Sequence, residues 1–251
     1  MNLPLVSVLP DQRVLAATVA ARLALALGDA QAQRGSASVV LTGGTIAARA
    51  YAALRDSELC QAVDWSLVDV WWGDERFLPS GHADRNETQA RAALLDALPL
   101  EQARVHPMPA ADGPDGADPV AAAARYARAL HEAAGPAGVP AWDVLLLGVG
   151  EDGHVASVFP GHPLLTATAA VSAVTDSPKP PPVRVTLTLQ TIGAAREVWL
   201  IASGAGKAAA VASAVASAVA SADTGPAGGP LPAGAVRGTV ATRWFLDRAA
   251  A

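Results

Sequence analysis

Two kinds of hydrophobic pattern alternate along this chain, one typical of buried strands and one typical of surface helices. Residues 144–149 form a continuous hydrophobic run, which predicts a strand buried on both faces of a parallel sheet. In the helical pattern, apolar residues recur at every fourth position, at Leu15, Val19, Leu23 and Leu27. Asp11, just before this stripe, is suited to cap the helix. Because strand-like and helix-like segments follow one another, the sequence predicts an α/β fold with a mostly parallel, Rossmann-like sheet and helices on both faces.

The same two patterns place the other elements. Further strands are predicted over residues 36–42, 67–72, 183–189 and 198–203. Residues 183–189 alternate between apolar and polar, so we expect that strand to be exposed on one face, and 240–247 to form a short strand or helical turn. Helices are predicted over 46–54, 86–98, 119–134 and 206–220, and polar loops over 73–85 and 108–118. The chain has 251 residues, of which 51% are hydrophobic, and we expect a single domain over residues 1–251.

Four polar segments each follow a predicted strand. They are residues 43–45, 74–76, 152–154 and 203–207. The carboxyl ends of parallel strands meet at one edge of a sheet, which is where open α/β sheets bind their ligands. We therefore expect the four segments to converge on one binding site.

His154 is the candidate general base of that site. A neutral imidazole, with an ordinary pKa of about 6.5, takes a proton from water near neutral pH, as ester hydrolysis requires. Asp152 and Asp74 are possible orienting carboxylates for the ring. Gly153 lets the backbone approach a ligand closely, and the N–H groups of such glycine turns stabilise a developing oxyanion.

Positive charge near these segments predicts an anionic ligand. Arg76 follows a buried strand and carries a planar donor fork suited to phosphate. Lys207 lies in the first turn of a predicted helix, where a cation opposes the helix dipole unless an anion is bound. Residues 43–45 open another helix, whose free N–H groups form an anion cradle. Lys179 and Arg184, in and after a proline-rich segment, add positive charge near the pocket.

Composition argues against several classes of function. A formal net charge of -5, with no cluster of Lys and Arg, argues against nucleic-acid binding. The single cysteine excludes a disulfide within the chain, and the 5 histidines show no zinc-binding spacing, so we expect no metal.

No run reaches the roughly 18 residues that cross a bilayer, and the N-terminus has no leader pattern, which predicts a cytoplasmic protein without membrane contact. Residues 148–153 match G-x-G-x-x-G, but His154 and Pro160 follow where a dinucleotide site needs a helix.

Six motifs, in order along nearly the whole chain, resemble those of the 6-phosphogluconolactonase family, within the larger family that also holds glucosamine-6-phosphate deaminase. They are residues 41–45, 72–79, 84–86, 148–161, 182–189 and 204–207. The glycine-histidine segment and the Asp-Glu-Arg segment are the most specific. The resemblance implies the fold shared by glucosamine-6-phosphate deaminase, ribose-5-phosphate isomerase and CoA transferase.

The resemblance also implies a cofactor-free hydrolase that opens 6-phospho-D-glucono-1,5-lactone to 6-phospho-D-gluconate in the oxidative pentose phosphate pathway. His154 matches the family's general base, and Asp74 matches an acidic residue near the reacting centre. The residues expected to bind the substrate or its phosphate are Gly43, Gly44, Thr45, Arg76, Gly153, Arg184 and Lys207. We expect a phosphosugar lactone as the partner molecule and a monomer or homodimer.

Two alternative functions stay open. Glucosamine-6-phosphate deaminase shares a glycine-Asp-Gly-His loop, but its loop continues with Phe-Asn-Glu-Pro-Gly, where this chain has Ser-Val-Phe-Pro-Gly at 157–161. A non-catalytic sugar-phosphate sensor would keep the anion-binding loops without turnover, although no DNA-binding segment accompanies them. A serine nucleophile at Ser157 lacks the nucleophile-elbow pattern.

Overall fold

The structure of the chain is a computed structural model, which describes residues 3–224 and 231–251. Its strands are β1 (Leu5–Leu9), β2 (Ala37–Leu41), β3 (Val68–Trp72), β4 (Asp74–Arg76), β5 (Val105–His106), β6 (Val144–Gly148), β7 (Val171–Val174), β8 (Arg184–Leu187), β9 (Glu197–Ala202) and β10 (Ala241–Asp247). Its α-helices are α1 (Gln12–Arg34), α2 (Thr45–Arg55), α3 (Asn86–Ala93), α4 (Pro119–Ala134), α5 (Leu189–Ile192), α6 (Ala208–Thr224) and α7 (Pro232–Ala235).

A seven-stranded sheet forms the centre of the molecule. Its strand order is β1-β10-β9-β6-β2-β3-β5, and every neighbouring pair is parallel. After β2 the chain extends the sheet toward β5, whereas from β6 onward it extends the sheet toward β10. The direction of winding therefore reverses between β2 and β6, and open α/β sheets bind ligands in the crevice at such a reversal.

Both faces of this sheet are covered at its centre. Successive side chains of a strand point to opposite faces, and four consecutive residues of β6 are 0% exposed; they are Val144, Leu145, Leu146 and Leu147. On α4, the Tyr126 hydroxyl accepts a hydrogen bond from the Trp72 N–H at 3.0 Å, which ties that helix to the end of β3. The predicted fold, a mostly parallel sheet between helices, is confirmed.

The longest helix, α1, begins and ends as its sequence predicts. The Asp11 carboxylate accepts hydrogen bonds from two N–H groups of the first turn, and Gly35, with φ 80°, ends the helix. The predicted apolar stripe is at most 2% exposed. Contrary to expectation, α1 is long and apolar enough to cross a membrane by length and composition, but its stripe packs in the core, as in the core helix of a folded domain.

A second, antiparallel sheet has the order β4-β8-β7. The prediction of a loop over 73–85 is therefore wrong at Asp74–Arg76, because pairing with the distant strand β8 makes this charged segment a strand. The prediction that 183–189 is exposed on one face is also wrong. All four residues of β8 are buried, since this strand lies between β4 and β7 and α4 packs against it.

Candidate active site

The carboxyl ends of the central strands surround one cavity of about 410 Å³. The expected convergence is present, because residues from the segments after β2, β3, β6 and β9 all line this cavity. The predicted site residues in its wall are Gly43, Gly44, Thr45, Asp74, Arg76, His154, Arg184 and Lys207. Among the residues that the structure describes, no group of three or more His, Cys, Asp or Glu is placed to hold a metal ion.

Two glycines shape the turn that carries His154. The Gly150 N–H donates to the His154 carbonyl oxygen at 2.9 Å, and the Gly153 N–H donates to the Gly150 carbonyl oxygen at 3.0 Å. Gly153 has φ 80°, a conformation that favours glycine. In this turn, Nδ1 of His154 lies 2.5 Å from Oδ1 of Asp152. An ionised carboxylate only accepts hydrogen bonds, so Nδ1 carries the proton and Nε2 is the basic nitrogen of the neutral ring.

The surroundings of His154 keep its ring neutral. Burial lowers the pKa of His154 below its ordinary value, and the positive charge of Lys179 acts in the same direction. The hydrogen bond and charge of Asp152, and the charge of Asp74, raise the pKa without reversing the shift. Near neutral pH the imidazole is therefore in the form that accepts a proton.

Asp74 is buried in the cavity wall and is held by groups other than His154. Its Oδ2 accepts a hydrogen bond from the Ser157 hydroxyl at 2.7 Å, and Nδ2 of Asn86 lies 3.3 Å from its Oδ1. Of the two carboxylates expected to orient His154, Asp152 makes the hydrogen bond because it shares the turn, whereas Asp74 acts through its charge. Ser157 is 0% exposed and its hydroxyl is bonded to Asp74, which does not suit a nucleophile.

Two arginines of the wall face each other across β4 and β8. Arg76 and Arg184 are register partners in this antiparallel pair. Like charges directly opposite each other destabilise a strand pair, so an anion bound between them relieves a repulsion. Nη1 of Arg76 donates to Oδ1 of Asn86 at 2.6 Å and to the Asp84 carbonyl oxygen at 2.9 Å. Its Nε is buried and has no hydrogen-bond partner among the described residues.

Lys207 enters the wall from the side of His154. It ends a short 3-10 turn, Ala205–Lys207, directly before α6, so it precedes the α-helix instead of lying in its first turn as predicted. Burial lowers the pKa of Lys207; the charges of Glu151 and Asp152 oppose this shift and that of Lys179 adds to it. These neighbours place its ammonium group near the turn of His154.

The first turn of α2 also reaches the cavity. Its N-cap is Gly44, with φ 103°, no side chain caps the helix, and no acidic residue lies in the first turn. The first N–H groups of a helix have no partner within it, and both Thr45 and Ile46 line the cavity. A Cβ at Gly43 would lie 1.9 Å from Oδ1 of Asn86, so a larger residue there would have to displace the Asn86 side chain from Asp74 and Arg76. This helix start therefore presents backbone donors suited to an anion.

Gly153 and Asn86 differ from the sequence-based expectation. Gly153 is absent from the cavity lining and packs against Leu231, whose Cδ1 would lie 2.8 Å from an added Cβ. Its role in the structure is to shape the turn of His154.

Asn86 was missed as a site residue, although it lines the cavity and its Nδ2 donates to the Asp74 carbonyl oxygen at 2.8 Å. The motif at 84–86 contains Asn86, but only the contact of α3 with β4 places it between Asp74 and Arg76.

Comparison with known proteins identifies the family. Residues 10–244 match the family described as glucosamine-6-phosphate isomerases/6-phosphogluconolactonase. A 6-phosphogluconolactonase of Streptomyces coelicolor is 53% identical over 245 residues, which are 96% of this chain and 91% of that protein. The 6-phosphogluconolactonase of Trypanosoma brucei has a TM-score of 0.78 and 29% identity, covering 98% of this chain and 97% of that one.

A monomeric glucosamine-6-phosphate deaminase has the same fold, with a TM-score of 0.74 at 18% identity over 98% of both chains. At that identity the likeness concerns the fold alone, and it confirms the predicted relation to the deaminase fold. The match to the family over residues 10–244, together with 53% identity to a relative over 96% of the chain, shows that this chain belongs to the glucosamine-6-phosphate isomerase/6-phosphogluconolactonase family.

Proposed function

We propose that this chain hydrolyses 6-phospho-D-glucono-1,5-lactone to 6-phospho-D-gluconate in the oxidative pentose phosphate pathway, and that it does so in the cytoplasm. The observation that carries the proposal is the presence of an oriented histidine and three cationic side chains in the wall of one cavity. A phosphorylated lactone requires both, because its carbonyl end needs a base and its phosphate end needs positive charge.

The phosphate of the substrate binds to the cationic wall. Arg76 and Arg184 present their guanidinium groups from paired strands, and Lys207 adds an ammonium group. Backbone N–H groups at the start of α2, beside Gly43 and Gly44, complete the site for a dianion. A bound phosphate would offset the repulsion between the two arginines.

His154 is the general base. Its Nε2 takes a proton from water while the water oxygen bonds to the carbonyl carbon, which gives a tetrahedral oxyanion. Backbone N–H donors of the glycine-rich loops that line the cavity stabilise this charge, and one well-placed donor contributes about 3 kcal/mol in comparable sites. The bond from this carbon to the ring oxygen then breaks, the ring oxygen takes the proton from Nε2, and the new carboxylic acid releases its own proton to solvent.

Asp74 binds the hydroxyl groups of the sugar. Its carboxylate lies in the cavity wall and is held in place by Ser157 and Asn86. A carboxylate has about four lone-pair sites, so acceptor capacity remains for substrate hydroxyls. This role leaves Asp152 as the group that orients His154.

Two other functions suit the site less well. A sugar-phosphate sensor needs the cations but has no use for a histidine whose basic nitrogen is set by Asp152. A glucosamine-6-phosphate deaminase shares the fold, but the segment 157–161 lacks the glutamate that assists the histidine of that enzyme. Lactone hydrolysis gives a role to all the titratable side chains in the cavity wall, which are those of Asp74, Arg76, His154, Arg184 and Lys207.

Acid release from fresh 6-phosphogluconolactone, corrected for spontaneous opening, tests the proposal. The wild-type chain should accelerate the reaction, and His154→Ala should lose about 10²- to 10⁴-fold of that rate, the scale of general base catalysis. His131→Ala, which removes an exposed histidine from α4, is the matched control. Binding without acceleration by the wild type would favour the sensor, and full activity of His154→Ala would remove His154 from the mechanism.

A further inference from the structure

Lys179 lies beside the pair of His154 and Asp152, although a different part of the chain carries it. It belongs to the segment between β7 and β8, and its Nζ is 3.7 Å from Oδ1 of Asp152. The same oxygen is 2.5 Å from Nδ1 of His154. One carboxylate oxygen is therefore shared between an imidazole and an ammonium group.

The backbone of Lys179 is held in place from two sides. Its carbonyl oxygen accepts hydrogen bonds from the Ser177 hydroxyl at 2.9 Å and from Nη2 of Arg184 at 3.1 Å. Arg184 also donates to the carbonyl oxygens of Pro180 and Pro181, at 3.2 Å each. Because Arg184 lines the cavity, the arginine that faces the substrate also fixes the backbone that carries Lys179.

We propose that Lys179 is a positioning residue for His154: its ammonium group holds Asp152 in the orientation that keeps Nδ1 protonated, and its charge opposes protonation of the ring. The inference rests on the proposed lactonase function, because it assigns Lys179 a role toward the base of that reaction. Lys179 acts through Asp152 and requires no contact with the substrate.

The charged groups that face His154 come from three elements. Asp152 belongs to its own turn, Lys179 to the segment before β8, and Asp74 to β4. A further ammonium group, that of Lys207 before α6, also interacts with Asp152. Removing the Lys179 ammonium group reduces the positive charge that opposes the two carboxylates, so the protonated ring becomes easier to form. The side chain of Lys179 is 42% exposed, and water screens ion pairs at that exposure, so the expected effect is modest.

The pH dependence of kcat/KM tests this role. For Lys179→Gln we expect the acid limb to move to higher pH, with a loss of about two- to fivefold near pH 6 and a smaller loss near pH 8, the size of a partly exposed ion pair. Lys179→Arg keeps the charge and should restore the wild-type profile. Arg128→Gln removes an exposed positive charge from α4 and is the matched control. NMR titration of the His154 ring should move in the same direction as the acid limb.

Two results would overturn the positioning role while lactone hydrolysis by the wild type stands. One is a Lys179→Gln profile that coincides with the wild type, and the other is an equal loss at every pH with an unchanged His154 titration. A wild-type chain without lactonase activity would instead refute the proposed function. In that case the NMR titration still shows whether Lys179 acts on the ring.

Discussion

At the scale of single residues, the site depends on a balance of forces at His154. Burial and the charge of Lys179 favour the neutral ring, while Asp152 and Asp74 favour the protonated ring. Burial prevails and lowers the pKa, so at a given pH more of the His154 ring is neutral than in an exposed histidine. The hydrogen bond to Asp152 then determines which ring nitrogen is basic.

This balance predicts the acid limit of activity. Only the neutral ring accepts a proton, and its pKa is lowered from the ordinary value of 6.5, so the acid limb of kcat/KM should have its midpoint below 6.5. The pH profile of kcat/KM reports the free enzyme and measures this directly. A midpoint above the ordinary value would contradict our description of the site.

A second residue-scale prediction concerns Arg76. Arg76→Ala should weaken binding of 6-phosphogluconate by about 1.5 to 3 kcal/mol, the scale of a charge-assisted hydrogen bond. Binding of gluconate, which lacks the phosphate, should change little. Titration calorimetry with both ligands checks this, using Arg128→Gln as the control. An unchanged affinity for the phosphorylated ligand would place the phosphate elsewhere.

The chemistry of individual residues could be predicted from sequence better than their pairings. An imidazole in a glycine-rich turn after a buried strand indicates a site, and so does an arginine where a strand ends. The sequence did not determine whether Asp74 or Asp152 would orient His154. The geometry of a single turn does so, because it brings Asp152 within hydrogen-bond distance of the ring. The places of Asn86 and Arg184 arise from contacts between distant segments, which a local pattern does not encode.

At the scale of elements, Glu75 joins β4 to α3. Its Oε1 accepts hydrogen bonds from the N–H groups of Asn86 at 2.7 Å and Arg76 at 2.8 Å, and its Oε2 accepts from the Glu87 N–H at 2.9 Å. The N-cap residue Arg85 makes no side-chain hydrogen bond to the first turn of α3, so Glu75 caps the helix from the neighbouring strand. The same contacts fix Arg76 and Asn86 in the cavity wall.

Glu75 predicts a pH dependence of stability. Burial raises its pKa from 4.5 to about 7, although the charge of Arg85 and the N–H groups of Glu87 and Asn86 oppose the shift. Because the folded state binds this proton more tightly, the stabilisation present below pH 4.5 is lost as the pH rises toward 7. Glu75→Gln does not titrate.

The free energy of unfolding of the wild type, minus that of Glu75→Gln, should therefore fall between about pH 5 and about pH 8. Urea unfolding of both proteins at the two pH values measures this difference. If the difference is the same at both, Glu75 does not titrate in the way its burial indicates.

Elements with strong local signals were predictable, and short paired strands were not. The predicted helix over 119–134 coincides with α4, because Asp118 caps it, Pro119 begins it and Gly135 ends it. The strands β1, β5 and β7 have five, two and four residues and were missed. β4 was missed as well, because its charged residues form a strand only by pairing with β8.

At the scale of the whole molecule, the position of the site follows from the reversal of winding between β2 and β6. The crevice lies between the loops that follow these two central strands, and the segments after β3 and β9 border it on either side. Sequence patterns predicted that the segments would converge, because all of them follow parallel strands. The second sheet, which brings Arg184 opposite Arg76, required the three-dimensional structure.

Calorimetry tests two properties of the whole molecule. We expect one thermal transition, since buried side chains from Leu15 to Ala250 form a single main cluster. At a concentration one hundred times its Kd, 6-phosphogluconate should add about 2.7 kcal/mol to the stability. Two separate transitions would contradict the single-domain prediction, and an unchanged transition with ligand would contradict binding to the folded chain.

The most direct test of the central claim is a crystal structure with 6-phosphogluconate bound. We predict the phosphate against Arg76, Arg184 and Lys207, and the product carboxylate within hydrogen-bond distance of Nε2 of His154. A ligand bound outside this cavity, or one whose carboxylate lies away from His154, would contradict the account.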